Sequence, residues 1–108
     1  FKTVADASPV PVILYNVPGR TGSNISAQTT LRLAGHKNIL GIKEASGNLE
    51  QCMKIAKEKP NDFMLISGDD MLTLPIYSIG GSGVISVLAN ALPQVFKKIK
   101  EGFSGGKL

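Results

Sequence analysis

Lys43 ends the short apolar run Asn38-Ile39-Leu40-Gly41-Ile42 and opens onto Glu44-Ala45-Ser46-Gly47. Burying an ammonium costs free energy unless it is paired or loses its proton. As a neutral amine it is a nucleophile able to form a Schiff base with a carbonyl compound. Tyr15 closes another apolar run, Val10-Pro11-Val12-Ile13-Leu14. A phenol both donates and accepts, which suits the proton transfers that make and resolve a carbinolamine. Arg20 follows in the segment Asn16-Val17-Pro18-Gly19-Arg20-Thr21-Gly22. Each residue also has a structural reading. Lys43 would form an ion pair with Glu44 or Asp69, Tyr15 would be a core aromatic, and Arg20 would lie in solvent. Pattern alone leaves the two readings of Lys43 open.

The elements that must position these groups alternate between strand and helix. Residues 10–15, 38–45, 63–67 and 83–87 are short, apolar and rich in β-branched residues, and read as strands. Phe1 to Ser8 reads as the last turns of a helix. Residues 16–22 read as a loop. Ser26 is placed to cap a helix ending near Gly35. Asn48 caps the next, with Gln51 in a capping-box position, and Pro60 marks its end. A shorter helix runs from about Met71 to Ile79. Pro93 starts the last helix, which Gly102 closes.

Strands this apolar are covered on both faces, which implies a parallel sheet with crossover helices. A doubly wound open sheet and part of a (β/α)8 barrel both fit. Polar residues at the strand ends, and chain ends that look cut, favour half of a barrel. The expected domain is thus residues 1–108 as a partial TIM barrel, truncated at both ends. Strand alternation sets Lys43 on the face of Gly41 and Ala45, opposite Leu40 and Ile42. It also lets Tyr15 and Lys43 share one pocket.

Composition narrows the function class. The chain has 108 residues, 43% hydrophobic and 19% charged, which marks a globular domain. The net charge of +4 is mild and the lysines are spread out. The cluster Lys97, Lys98 and Lys100 reads as a solvated helix face. With no Trp and no basic stripe, nucleic acid is not an expected partner. No apolar run spans a membrane and no secretory leader is visible, so the expected location is the cytoplasm. Cys52 is the single cysteine and reads as a buried structural thiol. Gly80-Gly81-Ser82-Gly83 precedes a strand, the wrong place for a phosphate cradle. Asp69-Asp70 lacks further metal-ligand partners, and Asp70 reads as a helix cap. His36 reads as a C-terminal cap.

The run from Tyr15 to Gly22, followed by Gly41-Ile42-Lys43-Glu44-Ala45-Ser46-Gly47, resembles the dihydrodipicolinate synthase branch of the pyruvate-dependent class I aldolases. N-acetylneuraminate lyase belongs to the same family. Ser67-Gly68-Asp69-Asp70 and Gly80 to Ser86 match in the same order, so the likeness covers nearly the whole chain and implies the second half of the barrel, strands five to eight. It implies that Lys43 forms the Schiff base with pyruvate and that Tyr15 carries protons. Arg20 would hold the carboxylate of aspartate semialdehyde, and Ile85 would line the pyruvate site. No cofactor or metal is implied beyond the covalent imine at Lys43.

The implied reaction condenses pyruvate with L-aspartate-4-semialdehyde to 4-hydroxy-tetrahydrodipicolinate in lysine biosynthesis, in an intact homotetramer. Arg20 argues against the N-acetylneuraminate lyase-like members. Those and the 2-keto-3-deoxy sugar acid aldolases are the alternatives within the family. A different class of alternative is a non-catalytic half-barrel that only assembles with a partner half. The likeness also exposes a gap, because the family's Gly-Thr-Thr-Gly loop is not in this chain. Thr29-Thr30 does not match that loop, and Tyr77 does not replace the family's second, intersubunit tyrosine.

Overall fold

The computed structural model describes residues 1–106. Lys107 and Leu108, the end of the expected domain, lie outside the described residues. Helix α1 spans Lys2–Ala7, as expected of the opening segment. Strands β1 (Val12–Asn16), β2 (Ile39–Glu44), β3 (Met64–Ser67) and β4 (Gly83–Val84) follow. Between and after them come α2 (Pro18–Thr21), α3 (Ala27–Leu33), α4 (Leu49–Glu58), α5 (Thr73–Ser78) and α6 (Pro93–Ser104). Two 3-10 turns, Asp70–Leu72 and Leu88–Asn90, complete the described elements.

All four strands pair in parallel, in the order β1-β2-β3-β4. This order separates the two architectures that the strand pattern left open. A doubly wound sheet reverses direction at a switch point and carries helices on both faces. Here each strand is added beside the last. Right-handed crossovers then place the helices on one face. Burial agrees: Leu14, Ile42 and Leu65 are buried with Leu33, Cys52, Ile55 and Ile76 from α3, α4 and α5. Burying each such aliphatic side chain contributes about 1.5–3 kcal/mol. The opposite face leaves Ile13, Tyr15 and Leu40 exposed. The expectation of strands covered on both faces therefore holds for one face only.

Several local expectations need correcting. Residues 18–21 form a helical turn instead of an open loop, because Pro18 sits at the first helical position and Gly22 closes it at φ 70°. Leu40 is exposed, and Ile39 takes the buried place. The β1–β2 register shifts at this point, pairing Val12 with Ile39 but Ile13 with Gly41, so Leu40 is the extra residue. The fourth strand stops at Val84, and the last helix runs through Gly102 to Ser104. Ser26 and Asn48 do cap their helices, accepting from the amides of Thr29 and Gln51 at 3.1 and 3.0 Å.

Asp69, not Asp70, caps the turn that follows β3, accepting from the Met71 amide at 3.0 Å. Asp70 instead accepts from the Leu88 amide at 3.1 Å. The neighbouring Ser86 hydroxyl, then the Leu88 and Val87 amides, hold the Asp70 carboxyl below the usual carboxylate range. His36 does not cap a helix carbonyl with its ring. Its Nε2 meets Asp6 Oδ1 at 2.8 Å, and its Nδ1 accepts from the Asn38 amide. It thereby ties α1 to the start of β2.

Candidate active site

Tyr15 and Lys43 are direct partners in the β1–β2 ladder. Both project from the face opposite the helices. Lys43 Nζ lies 4.0 Å from the centroid of the Tyr15 ring, a cation–π contact. Among the described residues no carboxylate lies within 4.0 Å of that nitrogen. Glu44, the adjacent acid, points to the covered face and is 1% exposed. The ion-pair reading of Lys43 with Glu44 or Asp69 is therefore absent from the structure, and the amine stands beside an aromatic ring.

The Lys43 stem passes over Gly68. A Cβ on Gly68 would fall 2.9 Å from Lys43 Cε and 3.0 Å from both Lys43 Cγ and Ala45 Cβ. A side chain at this position would crowd the Lys43 stem and the Ala45 methyl group. The Gly68 amide donates to the Glu44 carbonyl at 2.7 Å, so the end of β3 is fixed against β2 directly beneath the lysine. Gly41 has a similar steric role at the other end of β2. Its Cβ would come 2.6 Å from the Met64 carbonyl oxygen.

Tyr15 and Arg20 line a shallow cavity of about 430 Å³ together with Ala45, Gly68, Asp69 and Asp70. Arg20 stands in the last turn of α2, exposed to solvent. Its guanidinium is free to meet an anion at the rim. Lys43 and Ile85 do not line this cavity. Lys43 lies beside it, against the lining residues Tyr15 and Gly68. Ile85 lies just past β4, its amide bound to the Ser67 carbonyl at 2.9 Å and its residue half exposed. Three of the four expected site residues thus cluster at the carboxyl ends of β1 and β2, and Ile85 stands two strands away.

Behind this cluster lies a polar group that the sequence reading did not find. Glu44 Oε1 accepts from Asn16 Nδ2 at 2.9 Å and from Gln51 Nε2 at 3.0 Å, and Oε2 accepts from Ser46 Oγ at 2.6 Å. Gln51 therefore turns its side chain inward and does not complete the expected capping box. The signal was the acid itself, placed at the alternating position that strand geometry sends into the core. Cys52 is buried beside this group, as expected, and desolvation pushes its thiol up to about 12.

A singly wound parallel sheet with its polar groups at the strand ends defines part of a (β/α)8 barrel whose site sits at the carboxyl face. The comparisons agree. The model of the Dihydrodipicolinate synthetase family matches residues 1–108, and the chain belongs to this family. A 4-hydroxy-tetrahydrodipicolinate synthase from Flavobacterium psychrophilum is 59% identical over 100 residues, covering 92% of this chain and 34% of that protein. The crystal structure of a dihydrodipicolinate synthase from Bacillus anthracis superposes with a TM-score of 0.95 at 38% identity. It covers 99% of this chain and 37% of its own. The Escherichia coli K12 family member YagE, solved in complex with pyruvate, gives a TM-score of 0.92 at 29% identity, covering 99% of this chain and 37% of its own. The chain spans about a third of the length of the relatives it matches.

Proposed function

We propose that this chain supplies the imine-forming part of a pyruvate-dependent lyase that makes 4-hydroxy-tetrahydrodipicolinate from pyruvate and L-aspartate-4-semialdehyde. The observation that carries the reading is Lys43 Nζ, 4.0 Å over the Tyr15 ring and free of any carboxylate among the described residues. In this reading the Lys43 amine attacks the ketone carbon of pyruvate and forms a C–N bond. The former carbonyl oxygen takes up protons and leaves as water, giving the imine. Loss of a methyl proton gives an enamine, whose carbon adds to the aldehyde of the second substrate; the amino group of that substrate then attacks the imine carbon, closing the ring and expelling the Lys43 amine. Tyr15 carries protons to and from these centres. Arg20 receives the carboxylate of the semialdehyde through its two-pronged donors. Ile85 borders the pyruvate site through its backbone.

The names of the relatives support the synthase over other aldolases of the family, and the pyruvate bound in YagE supports the first substrate. The same reading places the reaction in lysine biosynthesis, in a cytoplasmic homotetramer. No described helix is long and apolar enough to cross a membrane.

The test is borohydride trapping. The chain is grafted into the Flavobacterium psychrophilum relative in place of the segment it matches, and the chimera is reduced in the presence of pyruvate. A pyruvate-derived adduct on Lys43, lost in Lys43→Ala, is expected. No adduct, or one that survives Lys43→Ala, defeats the reading. A second reading has its own support. The cavity beside Tyr15 is shallow and not lined by Lys43, and the chain is a third of its relatives' length. On that ground the 108-residue chain by itself is expected to be inactive and to act only when joined to the rest of a barrel.

A further inference from the structure

The covered face of the sheet holds a carboxylate that the proposed chemistry does not touch. Glu44 is 1% exposed, and among the described residues it has no cationic partner within 4.0 Å. A buried charge in that position is costly unless donors surround it. Here they do, from Asn16, Gln51 and Ser46, with the Cys52 thiol 4.0 Å from Oε2. These partners are committed further. Asn16 Oδ1 accepts from the Ile25 amide at 2.9 Å, and its Nδ2 also reaches Asn24 Oδ1 at 2.9 Å. Gln51 accepts from Asn24 Nδ2 at 2.9 Å and donates to the Ile25 carbonyl at 3.1 Å.

The placement of this group is more telling than its size. Asn16 follows Tyr15 and Glu44 follows Lys43, and both pairs are consecutive rungs of one ladder. Neighbouring residues on a strand face opposite sides, about 3.3 Å apart along it. The Asn16–Glu44 bond thus sits directly behind the Tyr15–Lys43 contact. The bonds to Asn24 and Ile25 staple the chain where it returns from the Arg20 turn. One buried carboxylate, itself the residue that follows Lys43, is thus linked to the residue that follows Tyr15 and, through Asn16 and Gln51, to the chain that returns after Arg20.

We propose that Glu44 is a positioning residue for this site. Its carboxylate locks the Tyr15–Lys43 rung and the return of the Arg20 segment in the geometry that imine formation needs. The proposal rests on reading Lys43 as the imine-forming amine. A displacement of about 1 Å at a reacting group costs up to ~100-fold in rate.

The test uses the same chimera, with the rate of borohydride-trapped pyruvate adduct and kcat as readouts. Glu44→Ala, checked for wild-type circular dichroism and elution volume, is expected to lower both by about 30- to 100-fold. Glu44→Gln is expected to stay within about threefold. Its amide oxygen still accepts from Asn16 and Gln51, and its NH2 donates to Ser46 Oγ once that hydroxyl turns. Combining Glu44→Ala with Tyr15→Phe is expected to lose little more than the worse single variant, as for groups that act as a unit. A folded Glu44→Ala variant with unchanged rates overturns the proposal. So does a Glu44→Gln variant as slow as Glu44→Ala, or losses that multiply in the double variant. If Glu44→Ala does not fold, Ser46→Ala removes the 2.6 Å bond to Glu44, together with the 3.2 Å bond that Ser46 Oγ accepts from the Asn48 amide. It is expected to slow trapping about fivefold, and an unchanged rate overturns the proposal. No adduct in the unsubstituted chimera overturns the functional reading and this proposal together. An adduct there, with Glu44→Ala reacting at full speed, overturns this proposal alone.

Discussion

On β1 and β2, Leu14, Asn16, Ile42 and Glu44 are at most 3% exposed, while Tyr15 between the first two is 47% exposed and Ile13 37%. These residues share the same backbone and the same ladder. They differ only in which face they meet. The covered face is a finished core in which even a carboxylate is satisfied by three donors. The open face holds a cation over a ring, a glycine kept bare under the lysine, and apolar side chains in solvent. The lesson is a division of labour across one sheet. The helix side is packed and hydrogen-bonded, and the open side carries the groups to which the proposed chemistry is assigned.

The sharpest way to break this contrast is at Lys43. In the chimera, Lys43→Ala is expected to abolish the pyruvate adduct seen by mass spectrometry and to lower turnover by at least ~1,000-fold, with the fold unchanged. Retained turnover would move the chemistry elsewhere. Next comes Ile42 against Ile13 in the 108-residue chain, one residue on each face. Ile42→Ala is expected to cost about 2–5 kcal/mol in urea denaturation, because it opens a cavity in the core. Ile13→Ala should cost well under ~1 kcal/mol. In the chimera the second figure should rise, because closing a barrel covers that face.

A smaller effect is expected of Arg20→Ala. It should raise KM for the semialdehyde about 10- to 100-fold while leaving the rate of adduct formation with pyruvate nearly unchanged, since Arg20 sits at the rim. The smallest effect concerns Cys52. Its thiol is raised from an ordinary 9.0 to about 12, mainly by burial and then by the nearby Glu44. A raised thiol gives stability that is fully present below pH 9 and is lost as pH climbs toward 12. Urea midpoints measured from pH 8 to 11 should fall less steeply in Cys52→Ala than in the parent chain.

Much of this organisation is legible in the residues. The alternation of apolar runs, the caps at Ser26 and Asn48, and Pro93 at a helix start follow from local chemistry acting over three or four positions. The segment around Arg20 was harder, because Pro18 and Gly22 suit a loop and a short capped helix equally well. Gln51 was misread for a related reason. Its spacing from Asn48 fits a capping box, but its Nε2 donates to the buried carboxylate seven residues earlier, its Oε1 accepts from Asn24, and the Asn48 amide is taken by Ser46.

Residue types and spacing alone indicated the parallel β/α class and allowed an amine and a phenol to share one side of the sheet with an arginine beyond them, but left Lys43 open between an amine and an ion pair. Local propensity and period carry that much. Tertiary structure alone decided that Lys43 is free of Glu44, that Leu40 turns outward at a register shift, and that helices cover a single face. It also placed Glu44 behind the Tyr15–Lys43 rung, bonded to Asn16, Gln51 and Ser46. Each of these depends on which strand lies beside which and in what register. Such contacts join residues 20 to 30 positions apart, beyond the reach of any local rule.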